Sequence, residues 1–209
     1  GGERFYPLWT HGNRIRFKNA SKQRRGNPGL HGQEVGEPAI GEAGFSGDDG
    51  RTTIYDYFNM PEHQKWMNNG KFDGGNLSEE QKELRHFYQQ LLNFSIQNEA
   101  VSRGQFFDLM YANPYETLPN RDKIYAWLRH TENQKLLFVT QFDKDQKGSI
   151  RIRIPEHAFE MMGFGDKSDF TITGIFRNDE EHHISKTELI ETGFLVQLES
   201  WDGKIFEIK

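Results

Sequence analysis

The chain has 209 residues, of which 34% are hydrophobic and 27% charged, and its formal net charge is −5. This length and composition predict a soluble globular protein with one large domain or two small ones. The absence of cysteine excludes disulfide scaffolds, cysteine-based zinc sites, iron–sulfur clusters and thiol catalysis, and it leaves the compartment open. The longest apolar runs, 136–140 and 194–198, have the length of strands and are too short to cross a membrane.

The first 31 residues form a basic segment. Seven lysines and arginines stand there against Glu3 as the single acid, a formal charge of about +6 that leaves about −11 in the rest of the chain. Four aromatic residues lie between these charges and could stack on nucleic-acid bases: Phe5, Tyr6, Trp9 and Phe17. Because the segment has no helical or strand period and no nucleic-acid motif, we expect an irregular solvated leader over 1–31 and no nucleic-acid partner.

Glycines and acidic residues dominate 32–50, which predicts a long shaped loop. Within it, 46–51 places two acids and an arginine beside glycines, and such polar groups suit sugar hydroxyls. A local salt-bridged turn explains the same residues equally well. Carboxylates clustered in sequence also do not establish the facing pair that glycoside hydrolysis needs. The candidate carbohydrate-binding residues in and after this loop are Glu34, Asp48, Asp49, Arg51 and Trp66.

The clearest element is a helix predicted over 78–95. Ser78 and Gln81 form a capping box, and Glu79 and Glu80 favour the positive end of the helix dipole. Helical spacing predicts one buried apolar face: Leu84, Phe87, Tyr88, Leu91, Leu92 and Ile96. A second short turn is predicted after Asn98 and ends at Gly104.

Beyond Gly104 the hydrophobic period changes to two, which predicts an antiparallel β domain over 105–209. Eight short strands are expected in a sandwich or barrel: 105–111, 124–129, 136–142, 149–154, 170–176, 188–191, 194–200 and 205–208. The 149–154 strand alternates between a buried and a solvated face, and 201–204 predict a hairpin turn. The fold class is α+β, with a loop and helical part over 32–104 followed by an antiparallel β-sandwich.

Two segments contain residue types that bind metals, yet neither predicts a metal site. The 143–148 segment resembles the start of a calcium loop, but Lys147 and Ile154 replace acidic ligands, so we expect a polar hairpin turn. In 180–183 the adjacent histidines would diverge from each other in an extended chain, so we expect a solvated turn. The sequence therefore predicts no metal and no cofactor.

Four segments together resemble the end of an α-amylase-family glycoside hydrolase, of the family thirteen type. They are G-Q-E-V-G-E-P-A (32–39), G-F-S-G-D-D-G-R-T-T-I-Y-D-Y (44–57), P-E-H-Q-K-W-M-N-N-G-K-F-D-G-G (61–75) and L-S-E-E-Q-K-E-L-R-x-F-Y-x-x-L-L-N-F (77–94). In that family a G-Q-E element ends strand eight of a (β/α)8 barrel, a helix closes the barrel, and an antiparallel β domain follows. The resemblance implies that 32–104 is a barrel-end remnant and that 105–209 is the family's C-terminal domain.

The resemblance also bears on catalysis. The family's catalytic aspartate, glutamate and second aspartate follow strands four, five and seven, all before the G-Q-E element. Only about thirty residues precede that element here, against about 250 in a whole barrel. No catalytic residue is assigned, and the resemblance implies a C-terminal segment of an enzyme of starch and α-glucan metabolism that is not catalytic by itself.

Three further functions stay open, and whether the chain is an enzyme is left uncertain. In an enzyme, loop carboxylates such as Glu34, Asp48 or Asp49 would act as acid and base despite the missing barrel. In a non-catalytic α-glucan-binding module, aromatics such as Trp66, Trp127 or Trp201 would stack on glucose rings, although Trp127 and Trp201 also suit core packing. In an interaction protein, the basic arm would bind a partner. Because the barrel is missing, we expect the apolar face of helix 78–95 to pack on the β domain or on a second copy of the chain, as a homo-oligomer.

Overall fold

We analysed the protein in a computed structural model that describes residues 32–37, 60–176 and 180–209. The chain divides into two compact units. The described residues of the first unit are 32–37 and 60–93, and those of the second are 94–176 and 180–209. Within these ranges, every helix is too short or too polar to span a bilayer.

The α-helices are α1 (Pro61–Met67), α2 (Glu79–Gln97), α3 (Glu99–Ser102), α4 (Glu156–Met161) and α5 (Lys186–Glu191). The strands are β1 (Gln105–Asp108), β2 (Ile124–His130), β3 (Lys135–Gln141), β4 (Gly148–Ile152), β5 (Asp169–Phe176), β6 (Glu181–Ser185), β7 (Phe194–Leu198) and β8 (Gly203–Ile208). Short 3-10 turns lie at Gln33–Val35, Asn68–Gly70, Met110–Ala112 and Arg121–Lys123. The α+β class is confirmed.

Helix α2 begins as its capping box predicts. The Ser78 backbone N–H donates to Gln81 Oε1 at 3.0 Å, and the Gln81 N–H donates to Ser78 Oγ at 3.3 Å. Two N–H groups that have no partner within the helix are therefore satisfied at its start. The predicted buried face is confirmed for these residues: Leu84, Phe87, Tyr88 and Leu91.

The last turns of α2 differ from the prediction. The helix continues to Gln97, but Leu92 is 49% exposed and Ile96 is 77% exposed. Both were predicted to be buried, and that prediction is wrong. Helical spacing identifies a face of the helix, but it does not show how far along that face the covering surface extends.

The second unit contains two antiparallel sheets. Six strands form one sheet in the order β1-β2-β3-β8-β5-β6, and β4 pairs with β7 in the other. Strand β4 keeps the predicted alternation, since Ile152 is fully buried while Ser149 and Arg151 are exposed. One apolar core takes side chains from both sheets, including Leu137 and Phe206 from the large sheet and Ile152 and Val196 from the small one. This arrangement confirms a sandwich-like β domain.

The segment 180–191 corrects two predictions. Residues 181–183 of the predicted turn belong to strand β6, and the predicted strand at 188–191 belongs to helix α5. Ser185 caps α5, because its Oγ accepts a hydrogen bond from the Glu188 N–H at 3.1 Å. The S-x-x-E pattern at 185–188 is the same helix-start signal as at 78–81, and here it outweighs the β-branched residues that follow.

Both predicted hairpin turns are wrong as well. Strand β7 pairs with β4, whereas β8 lies between β3 and β5, so 199–202 connects one sheet to the other. The 142–147 segment likewise connects the two sheets, between β3 and β4.

In the 142–147 connection, Asp143 is buried and accepts from Lys123 Nζ at 2.6 Å and from the Asp145 N–H at 2.9 Å. These bonds hold the pKa of Asp143 below its ordinary value, with the Lys123 bond as the largest cause.

Gly193 allows a close approach of backbone segments, and we expect Gly193→Ala to destabilise the fold. Its φ is +88°, and an added Cβ would lie 2.8 Å from the Ile152 carbonyl carbon. Gly163 is the matched control, because its φ is +77° but its Cβ position is open. The left-handed backbone costs about 1–2 kcal/mol in either alanine variant, and overpacking at 193 adds roughly 1–3 kcal/mol. Urea unfolding measures both; equal losses would contradict the close approach.

Candidate functional site

The G-Q-E segment forms a tight turn in the first unit. The Gly32 carbonyl accepts hydrogen bonds from the Val35 N–H at 3.1 Å and the Glu37 N–H at 2.9 Å. Gly32 has a φ of +86°, and a Cβ there would lie 2.5 Å from Met60 Cε and 2.7 Å from Glu37 Cβ. A residue without a side chain is therefore needed at this position.

Glu37 joins this turn to helix α1. Its side chain is only 5% exposed, and Oε2 accepts from the Glu62 N–H at 3.0 Å and the His63 N–H at 3.1 Å. Met60, at the N-cap position, provides no side-chain cap, so a residue 23 positions upstream supplies the carboxylate. Burial raises the pKa of Glu37 above its ordinary value, although the two backbone bonds act in the opposite direction.

Gln81 ties the same turn to helix α2. Its Nε2 donates to the Val35 carbonyl at 2.9 Å and to Glu62 Oε2 at 2.5 Å, while its backbone and Oε1 complete the capping box. Gln81 is 2% exposed. One amide side chain therefore holds the turn, α1 and the start of α2 in one hydrogen-bonded group.

Two of the predicted sugar-binding residues lie in this unit. Glu34 is half-buried in the Gln33–Val35 turn and makes no hydrogen bond or ion pair with the described residues. Trp66 is half-buried on α1. The Arg85 guanidinium lies 5.1 Å from its ring centroid, and the rings of His63 and Phe72 lie 5.5 Å and 5.7 Å away. Arg85 thus covers one side of the indole.

The remaining predicted residues, Asp48, Asp49 and Arg51, lie outside the described residues, as does the basic arm over 1–31. Of the other two tryptophans proposed to stack on glucose, Trp127 is fully buried and stacks on Phe138 at 4.9 Å and 7°. Its role is core packing, so the stacking hypothesis is wrong for this residue. Trp201 is half-buried in the connection between the sheets.

Sequence reasoning did not assign a role to Glu37 or to the Nε2 group of Gln81. A glutamate before proline and a glutamine in a capping box are visible in the sequence, but their contacts join residues 25 and 46 positions apart. Among the described residues, no three His, Asp or Glu side chains form a group that could hold a metal ion.

The raised pKa of Glu37 predicts a pH dependence. Between the ordinary value of 4.5 and the higher folded-state value, the folded protein binds more protons than the unfolded chain, so the free energy of unfolding falls as pH rises. Glu37→Gln removes this loss, and its amide oxygen can still accept both N–H bonds. We expect the variant to gain stability relative to the parent chain as the pH rises from below 4.5 to neutrality.

Urea unfolding at a series of pH values measures this difference. Glu34→Gln is the control, because the carboxylate of Glu34 accepts no hydrogen bond from the described residues. A stability difference between Glu37→Gln and the parent chain that does not change with pH would contradict the raised pKa.

No protein-family model matches the chain, and no curated protein matches it significantly. Solved structures do match it. The structure of AmyP in complex with maltose has a TM-score of 0.57 at 14% identity, over 99% of this chain and 36% of AmyP. AmyP in complex with maltotriose, as a variant, gives 0.56 at 15% identity, over 96% and 35%. A variant of isomaltulose synthase from Erwinia rhapontici, in complex with sucrose, gives 0.51 at 16% identity, over 100% and 40%.

These matched structures are enzymes of the α-amylase family. The chain spans between 35% and 40% of their length. At 14–16% identity the likeness concerns the fold. The chain has the fold of part of an α-amylase-family enzyme, in agreement with the C-terminal portion to which its motifs assign it.

Proposed function

We propose that the chain is the C-terminal part of an α-amylase-like glycoside hydrolase of starch and α-glucan metabolism, and that it has no catalytic centre of its own. The observation that carries this proposal is the fold match, which covers 99% of this chain but 36% of AmyP, an enzyme seen with maltose. In this proposal 32–104 is the end of the barrel and 105–209 is the C-terminal β domain.

The contacts of Glu37 and Gln81 support a structural role for the G-Q-E turn. Glu37 Oε2 is engaged by two backbone N–H groups, and the Val35 carbonyl is engaged by Gln81. These atoms are therefore occupied in holding helices α1 and α2.

We expect the purified chain to release no reducing sugar from soluble starch. Glycoside hydrolysis requires two carboxylates that face each other across the scissile bond, and the proposal places the family's carboxylates upstream of the matched region. Glu34→Gln and Asp48→Asn serve as controls, because a contaminating amylase would give the same release in both variants. Release that falls in either variant would contradict the proposal and would assign chemistry to these carboxylates.

A non-catalytic α-glucan-binding module is the second candidate. It is favoured by the surroundings of Trp66, a partly exposed ring with the Arg85 guanidinium 5.1 Å from its centroid and the 55% exposed Phe72 beside it. The C–H groups on the faces of a glucose ring are apolar and stack on aromatic side chains, while guanidinium donors can bind its hydroxyls. Glu34, Asp48, Asp49 and Arg51 would add polar contacts.

The exposed end of helix α2 supports a homo-oligomer through a second copy of the chain. Leu92 and Ile96 are one turn apart on one face and are 49% and 77% exposed. Burial of such side chains is favourable by roughly 1.5–3 kcal/mol each. We expect sedimentation equilibrium to detect a dimer that Ile96→Lys weakens, while Gln90→Lys on the exposed polar face has no effect. A monomer at high concentration would overturn this proposal.

A further inference from the structure

A second group of aromatic and polar side chains lies in the β domain, far in sequence from the predicted sugar-binding residues. It surrounds an open cavity of about 400 Å³, near the lower end of the usual size of small-ligand sites. The cavity is lined by Met110, Tyr115, Arg121, Asp122, Ile124, Tyr125 and Phe142. We call it the Tyr115 cavity.

The base of the cavity is apolar and firmly held. Met110 is 8% exposed and Ile124 is 3% exposed, and both belong to the apolar core of the second unit. The Met110 backbone N–H donates to Asp108 Oδ1 at 2.7 Å, and the phenol of Tyr125 donates to Asp108 Oδ2 at 3.3 Å. Ile124 and Tyr125 belong to strand β2, so this part of the lining is held by the large sheet.

The rim presents an aromatic ring with polar groups at its edge. Tyr115 is 51% exposed, and its hydroxyl donates to Asp122 Oδ1. The Arg121 guanidinium lies 5.1 Å from the Tyr115 ring centroid and forms no hydrogen bond or ion pair with the described residues. Its N–H donors are therefore available beside the ring.

The charges of the cavity favour a neutral ligand. Arg121 and Asp122 carry opposite formal charges, and the neighbouring Lys123 donates to Asp143 at 2.6 Å and does not line the cavity. A phosphate or a carboxylate would gain little here, because Asp122 on the lining and Asp108 at the Tyr125 hydroxyl oppose the charge of Arg121. A polyol gains from such a site, since its hydroxyls can both accept from a guanidinium and donate to a carboxylate.

We propose that the Tyr115 cavity binds glucose units of an α-glucan. The Tyr115 ring stacks on the apolar face of a sugar, on the side that Arg121 leaves open, and Arg121 and Asp122 bind its hydroxyls. The choice of an α-glucan rests on the proposed function, whereas the neutral, aromatic and hydrogen-bonding character of the site comes from the cavity itself.

Maltoheptaose titration by calorimetry, together with retardation in native gels that contain soluble starch, tests the site on the full chain. We expect Tyr115→Ala to weaken binding about tenfold or more, the loss typical of a central aromatic anchor. Tyr115→Phe, which keeps the ring, should stay within a few-fold of the parent chain. Tyr111→Ala is the matched control, because Tyr111 is a 57% exposed tyrosine of the same unit that does not line the cavity.

Circular dichroism and the unfolding midpoint verify that each variant folds. The proposal is overturned if Tyr115→Ala binds as the parent chain does, if Tyr111→Ala loses as much affinity, if only Trp66→Ala loses binding, or if the parent chain does not bind maltoheptaose. None of these results depends on sugar release. The proposed function fails by a different outcome, the release of reducing sugar that falls in the Glu34 or Asp48 variant.

Discussion

The two sheets of the second unit share one apolar core, and the path of the chain through that unit follows from this packing. Ile152, Phe194 and Val196 from the small sheet are buried in the same core as Leu137 and Phe206 from the large one. Each such side chain contributes roughly 1.5–3 kcal/mol when buried. Because β4 and β7 must both face the large sheet, the segments before β4 and after β7 have to cross between sheets and cannot turn back as hairpins.

In the first unit, buried polar side chains connect the described elements. Glu37 closes the start of α1, and Gln81 connects the turn with the start of α2. Glu37 Oε1 has no hydrogen-bond partner in the described part of the chain, so the buried carboxylate is only half satisfied. This imbalance agrees with the raised pKa, since burial penalises a charge whose hydrogen bonds are incomplete.

The two candidate sugar-binding surfaces have the same local chemistry. Trp66 and Tyr115 each have an arginine guanidinium 5.1 Å from the ring centroid. In each pair the guanidinium places hydrogen-bond donors beside the ring. The surfaces differ in the structure around the ring. Tyr115 shares its cavity with buried core residues of the β domain, whereas Trp66 lies on a seven-residue helix with no buried residue.

Local patterns in the sequence determined the elements whose signals involve neighbouring residues. The capping box of Ser78 and Gln81, the alternation of 149–154 and the antiparallel β character after Gly104 are all visible there, and so are the motifs that resemble the α-amylase family. The capping pattern at 185–188 was visible too. Only the tertiary structure decided the strand order, with β8 between β3 and β5. It also decided burial, since Leu92 and Ile96 stay exposed whereas Trp127 is buried. Contacts between distant segments were decided there as well: Glu37 caps α1, and Tyr115, Arg121 and Tyr125 line one cavity. Hydrogen bonding and periodicity act over a few residues, whereas burial and strand order depend on segments that meet only after the chain has folded.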